Sequence, residues 1–170
     1  HRVPAVTELM YLVTILFDMS WPFFIISFLV GLLIYVVRDL KYTILFLSSL
    51  LAGGVFIFVL KYFFDVSRPL GGLVDVFGKS FPSGHTTIST IFFIMLMYVF
   101  DEYFSGVYKK LFNIFCIASI FLVGLSRLYL GVHWFSDVVG GLALGLFISY
   151  ISISLFRYRN HVHHPTAMVK

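Results

Sequence analysis

Three short polar segments interrupt an otherwise apolar chain, and their residue types could bind and cleave a phosphate group. They are a K-x6-R-P sequence at 61–69, a P-S-G-H sequence at 82–85 and an S-R-x5-H-x3-D sequence at 126–137. Their defining positions supply three cations, two histidines and one carboxylate. Ionisable groups are costly inside or beside a bilayer, so their presence there indicates function. The set predicts a site that handles an anion at a membrane surface.

The third segment carries the most specific pattern. His133 and Asp137 are four residues apart, so they meet on one face of a helix. A carboxylate bonded to one imidazole nitrogen fixes the tautomer and leaves the other nitrogen available as a nucleophile or base. Arg127 lies just upstream, and Gly131 would allow a tight reversal between them. The alternative is a purely structural His–Asp bond.

The second segment precedes an apolar run that favours a helix. The first amides of a helix lack internal partners and lie at the positive end of its macrodipole, so they can bind phosphate. Pro82 suits the first turn, and Gly84 would let a ligand approach the backbone. Ser83 adds a hydroxyl and His85 a proton source. The alternative is an ordinary helix N-cap.

The first segment contributes two cations, Lys61 and Arg68. They are seven residues apart, about two helical turns, and would share a face if the helix continues as far as Arg68. Pro69 would then end or bend that helix. The alternative is that both side chains only reach for lipid headgroups. We expect Asp65 to partner a cation or water, and Lys79 to be a solvated loop charge.

Helices long enough to cross a bilayer must position these segments. Five apolar stretches come close to the roughly 20 residues that a crossing takes: about 20–37, 42–63, 84–100, 110–128 and 134–156. Residues 1–19 are predicted to form a short amphipathic helix at the interface, or part of a tilted span. Residues 157–170 are predicted to be a cytoplasmic tail, disordered from about residue 160.

Composition supports a membrane protein. Of 170 residues, 60% are hydrophobic and only 12% are charged, whereas a soluble domain would carry about 25% charged residues. We predict one membrane-embedded domain over 1–170, with an all-α fold: a multi-span transmembrane helical bundle of five to six helices.

The lone Cys116 excludes an internal disulfide, and scattered basic residues argue against a nucleic-acid partner. The sequence leaves the oligomeric state open.

The distribution of lysine and arginine predicts the orientation. With five spans, one side holds seven of them: Arg38, Lys41, Lys109, Lys110, Arg157, Arg159 and Lys170. The other holds five, three of which are candidate site residues: Arg2, Lys61, Arg68, Lys79 and Arg127. Cytoplasmic loops are enriched in these residues. We therefore predict a multi-pass protein of the cell membrane with all three polar segments on the extracytoplasmic side.

Taken together, the three segments resemble the signature motifs of the type 2 phosphatidic acid phosphatase superfamily, which also includes vanadium haloperoxidases. Every defining position is present, in order and with intact spacing. Ser80-Phe81 and the stretch 129–132 also match the surroundings of those motifs. Membrane members usually have six spans, whereas five plus a short helix are counted here. The resemblance implies a lipid phosphatase that needs no metal and no other cofactor.

The resemblance also implies a role for each site residue. His133 would attack phosphorus and form a phosphohistidine, and Asp137 would orient it. His85 would protonate the leaving oxygen and then help to activate water. The remaining residues would hold the phosphate oxygens: Lys61, Arg68, Arg127, Ser83 and Gly84.

The predicted partner is a lipid phosphate in the bilayer, and polyprenyl diphosphate is the best guess by analogy. Phosphatidylglycerophosphate and phosphatidic acid are alternative substrates. A lipid phosphotransferase would share the phosphohistidine but depend on an acceptor other than water. A small anion channel or transporter would show phosphate flux that survives loss of His133.

Overall fold

The computed structural model describes residues 3–15, 17 and 21–163. Within these ranges the chain forms six α-helices and no strand, which confirms the predicted all-α fold. The helices are α1 (Pro4–Ile15), α2 (Trp21–Val37), α3 (Leu40–Phe64), α4 (Gly84–Val99), α5 (Gly106–Tyr129) and α6 (Phe135–His163). The other residues, among them Ser20 and the tail from 164 onwards, lie outside the described part.

The helices coincide with the predicted apolar stretches, and three of them are long and apolar enough to cross a membrane: α3, α5 and α6. The helices α2 and α4 have 17 and 16 residues. At 1.5 Å per residue they span about 24–26 Å, somewhat less than the roughly 30 Å of a hydrocarbon core. The number of crossings therefore stays a prediction.

The last helix is longer than predicted. It continues to His163, so the segment predicted as a tail from 157 is helical that far. No glycine or proline interrupts the sequence between 157 and 163. Arg157 and Arg159 also lie near the helix C-terminus, where the macrodipole favours positive charge.

The helix α4 lies at the centre of the bundle and packs closely against α6. Along α4, Ile91, Met95 and Val99 are fully buried. A Cβ at Gly141 would lie 2.7 Å from the Ser83 carbonyl oxygen, and one at Gly145 would lie 2.6 Å from Thr90 Cβ. Only glycine permits this approach, because a side chain at either position would collide with α4. The start of α6 is thereby held against the start of α4.

The bundle has two ends of different character. One end collects the C-termini of α3 and α5 and the N-termini of α4 and α6. At the other end, Arg38 pairs with Glu102 at 2.6 Å and Lys109 with Asp101 at 2.7 Å. Among the described residues, the basic side chains that predict the orientation therefore share one end, and the three polar segments share the opposite one.

Candidate active site

The loop between α3 and α4 brings Arg68 to the site. The helix α3 ends at Phe64 because Asp65 adopts a left-handed conformation with φ of 51°. The helix does not continue as far as Arg68, so the condition under which Lys61 and Arg68 would share a helical face is not met. The loop is tied instead to the α5–α6 connection, since Leu73 N donates to Leu130 O at 2.8 Å and Trp134 Nε1 donates to Ser67 O at 2.9 Å.

Arg68 contacts the predicted nucleophile directly. Its Nη1 donates to Val132 O at 2.9 Å and to His133 Nε2 at 3.2 Å, while its Nε donates to Gly78 O at 3.0 Å. Lys61 Nζ donates to the Lys79 carbonyl oxygen on the same loop. Backbone carbonyls therefore hold both cations near the α5–α6 connection.

Two further charges, Asp65 and Lys79, pair with each other. Lys79 Nζ and Asp65 Oδ1 form an ion pair at 2.5 Å, and their side chains are 43% and 69% exposed. This confirms that Asp65 partners a cation. The Lys79 side chain bonds to Asp65, so substitution of Lys79 is a matched control for substitution of Arg68.

His133 and Asp137 form the pair that their spacing predicts. The His133 Nδ1 donates to Asp137 Oδ2 at 3.1 Å, and Trp134 N donates to the same oxygen at 2.8 Å. Both side chains are buried, with 5% and 0% exposure. Gly131, with φ of 70°, makes the predicted reversal between α5 and α6. Because Nδ1 carries the proton, Nε2 presents its lone pair toward Arg68.

The electrostatic surroundings keep His133 neutral. Burial lowers the pKa of the His133 imidazole well below its usual value, and the positive charges of Arg68, Arg127 and Lys61, with His85, lower it further. A neutral imidazole is the form that can attack phosphorus. Arg68 also bonds to His133 at 3.2 Å, so its charge lies directly beside the ring.

The second segment places its residues at the N-terminus of α4, in a manner different from the one predicted. Ser83 is the N-cap and α4 begins at Gly84, so Pro82 precedes the helix instead of lying in its first turn. The Ser83 Oγ caps no backbone amide; it accepts a bond from Thr86 Oγ1 at 3.0 Å. Ser83 N donates to Asp137 O at 3.0 Å, which joins the second segment to the third.

Gly84 and His85 occupy the first two positions of α4. A Cβ at Gly84 would meet Ile57 Cγ2 at 3.8 Å, an ordinary contact, so packing within the described chain does not demand glycine there. The His85 side chain is half-buried. Both residues therefore lie at the positive end of the α4 macrodipole.

The contact made by Arg127 was missed by sequence reasoning. Arg127 is only 2% exposed, and its Nη1 donates to the Thr14 hydroxyl of α1. Residues 1–19 are predicted from the sequence to form an interfacial helix or part of a tilted span, with no contact to Arg127 specified. The sequence does indicate that α1 has a polar face, because Thr7 and Thr14 are seven residues apart and so share one side of the helix.

Two cavities lie away from this cluster. One, of about 470 Å³, lies at the opposite end of the bundle and is lined by Arg38, Glu102 and Arg157 among others. The second, of about 700 Å³, lies between α3 and α6 and is mostly apolar. Neither is lined by a predicted site residue.

Comparison with known proteins identifies related proteins over most of the chain. The family described as the PAP2 superfamily matches residues 41–161, which include all three polar segments. The chain is 36% identical over 96 residues to phosphatidylglycerophosphatase B of Bacillus subtilis, covering 55% of this chain and 47% of that protein. It is 34% identical over 76 residues to an undecaprenyl-diphosphatase of Sulfolobus acidocaldarius, covering 45% and 33%.

A solved structure shows the same fold over nearly the whole chain. The crystal structure of a transmembrane PAP2 type phosphatidylglycerolphosphate phosphatase from Bacillus subtilis matches with a TM-score of 0.85 and 29% identity. The match covers 92% of this chain and 79% of that one. By contrast, the alignment with the first curated relative spans about half of that relative's length.

Proposed function

The chain belongs to the PAP2 superfamily, and we propose on this basis that it hydrolyses a lipid phosphate or diphosphate through a phosphohistidine intermediate. The observation that carries the proposal is the geometry of His133. Its Nδ1 is fixed by Asp137 at 3.1 Å, and its Nε2 faces the Arg68 guanidinium at 3.2 Å. An attacking nitrogen and a cation for the phosphate oxygens therefore lie side by side.

The reaction would proceed in two displacements. In the first, His133 Nε2 forms a bond to phosphorus while the bond from phosphorus to the leaving oxygen breaks, and His85 gives that oxygen a proton. In the second, His85 takes a proton from water, the water oxygen bonds to phosphorus, and the phosphorus–nitrogen bond breaks. Asp137 stabilises the charge that develops on the imidazole in each step.

The surrounding groups would neutralise the transferring phosphoryl group. Lys61, Arg68 and Arg127 supply three positive charges, and the start of α4 supplies backbone amides with Gly84 and the Ser83 hydroxyl. Phosphoryl transfer depends mainly on positioning and charge neutralisation, so this set can perform the function that metal ions have elsewhere.

The substrate is proposed to be a lipid of the bilayer. Polyprenyl diphosphate remains the best guess from sequence. Phosphatidylglycerophosphate is the second candidate, because a curated relative and a solved structure are both named for that activity. The basic residues at the far end support an orientation with the site on the extracytoplasmic side of the cell membrane.

A phosphate-release screen tests the proposal. Purified protein in detergent is offered polyprenyl diphosphate, phosphatidylglycerophosphate and phosphatidic acid, with the His133→Ala variant as the blank. We expect release from at least one lipid by the wild type alone. Equal release by both proteins, or by neither with all three lipids, would contradict the function.

We expect turnover to survive removal of divalent metal. The three cations and the α4 amides already balance the phosphate charge, so a chelator at millimolar concentration should change kcat/KM by less than about twofold. The measurement is phosphate release with and without EDTA. A matched sample with EDTA plus excess Mg²⁺ controls for effects on the detergent micelle. Loss of activity that only the metal restores would refute the metal-free mechanism.

Vanadate should inhibit competitively. It adopts a pentacoordinate geometry like that of phosphorus under attack, and transition-state analogues bind more tightly than substrates. We expect full inhibition below millimolar concentration, measured against lipid concentration in mixed micelles. Sulfate at equal concentration is the control for ionic effects. Turnover unchanged at several millimolar vanadate would argue against attack by His133.

A further inference from the structure

The helix α1 is anchored at the site end of the bundle by three contacts. Thr7 Oγ1 lies 3.1 Å from Tyr129 Oη, and Arg127 Nη1 donates to Thr14 Oγ1. Phe17, just beyond the helix, packs its ring 5.4 Å from that of Phe93. These anchors fix α1 against α5 and α4.

The helix α1 turns Thr14 inward. Thr14 is 5% exposed, whereas Leu9 and Leu12 are 52% and 60% exposed. Burying a hydroxyl carries a free-energy cost unless it is hydrogen-bonded, and an apolar side chain would fill a purely structural position without that cost. The inward placement of Thr14 is therefore explained by its bond to Arg127.

We propose that Thr14 is a positioning residue for the phosphate site and acts through Arg127. This inference rests on the proposed function, in which Arg127 binds a non-bridging oxygen. Arginine has many rotamers, and a guanidinium that is ordered before the ligand arrives loses less entropy on binding. Thr14 is 113 positions away in sequence and lies on α1, whereas Arg127 lies on α5. The guanidinium is therefore held by a different helix from the one that carries it.

Thr14 lies outside the positions that define the three polar segments. The family match begins at residue 41, and α1 ends at Ile15. Thr14 thus adds to the site a residue that the three polar segments do not contain. It touches no reacting atom in the proposed mechanism and works only on the geometry of Arg127.

Substitution of Thr14 tests the proposal with two readouts. Thr14→Val keeps the shape and removes the hydroxyl, and we expect about a tenfold rise in both the KM for the lipid phosphate and the Ki for vanadate, with a smaller change in kcat. Thr14→Ser restores the hydroxyl and should lie within about twofold of wild type. The matched control is Thr7→Val, which removes the other inward hydroxyl of α1 and should leave the vanadate Ki within the same limit.

A double-mutant cycle separates positioning from packing. In an Arg127→Gln background, Thr14→Val should have no further effect on the vanadate Ki. An equal effect in both backgrounds would overturn the proposal, as would wild-type values for a folded Thr14→Val. If Thr14→Val does not fold, Thr14→Ala takes its place; failure of both to fold would assign Thr14 a structural role and also overturn it.

The outcomes distinguish the two proposals. A wild type that neither hydrolyses lipid phosphates nor binds vanadate would refute the proposed function. Wild-type turnover that is inhibited by vanadate, with an unchanged Ki in folded Thr14→Val, would refute the role of Thr14 alone.

Discussion

Replacing His133 with alanine will abolish hydrolysis of the lipid phosphate. Alanine removes the only protein atom proposed to bond to phosphorus, so we expect kcat to fall by at least about 10⁴-fold, to the level of release without protein. His133 sits in a connection fixed by Gly131 and the start of α6, so its loss should leave the helices in place. Phosphate release from wild-type and variant protein at saturating lipid measures the effect.

The control is another histidine of the same chain. His161 is exposed on the last turns of α6, at the end of the bundle away from the cluster. His161→Ala should therefore retain wild-type turnover. A His133→Ala protein that hydrolyses lipid phosphate normally would refute the nucleophile assignment, whatever the other variants do.

The neighbouring carboxylate should give a graded result. Asp137→Asn keeps an oxygen for the His133 Nδ1–H but removes the negative charge that stabilises the developing imidazolium. We expect a loss of about 10²–10⁴-fold with measurable residual turnover. A loss as complete as that of His133→Ala would instead mean that the pair depends on Asp137 for its geometry, since Asp137 Oδ2 also accepts from Trp134 N at 2.8 Å.

The parts of the site that could be predicted from sequence depend on local geometry. The spacing of His133 and Asp137 fixes their meeting within one helical turn, because positions four apart are neighbours on a helix. The positive φ of Gly131 and the start of α4 at Gly84 follow from residue types within a few positions. Such features need no knowledge of the rest of the chain.

The features that were missed depend on contacts between distant residues. Arg68 reaches His133 because Asp65 ends α3 early and the loop is tied to Leu130 and Trp134, more than 55 positions away. Asp65 tolerates the left-handed conformation better than most residues, but its sequence position alone does not show that it adopts it. The bond between Thr14 and Arg127 has the same character. The seven-residue spacing of Thr7 and Thr14 places both hydroxyls on one helical face but does not identify their partners.

Replacing Arg68 with lysine will lower kcat/KM by about 10²–10³-fold although the charge is retained. The guanidinium donates at once to Val132 O at 2.9 Å, to His133 Nε2 at 3.2 Å and to Gly78 O at 3.0 Å. A lysine ammonium is a single point on a flexible stem and cannot span these acceptors, so its charge would no longer be held beside the attacking nitrogen.

The measurement is steady-state phosphate release from the lipid in detergent, with Lys79→Gln as the matched control. Lys79 is a cation of the same loop whose Nζ pairs with Asp65 at 2.5 Å, so removing its charge should change kcat/KM by less than about threefold. A near-wild-type Arg68→Lys would show that Arg68 acts only as a point charge. The predicted contrast follows from where the two cations are held: Arg68 lies against the nitrogen that attacks phosphorus, so a phosphate entering there meets cation and nucleophile together.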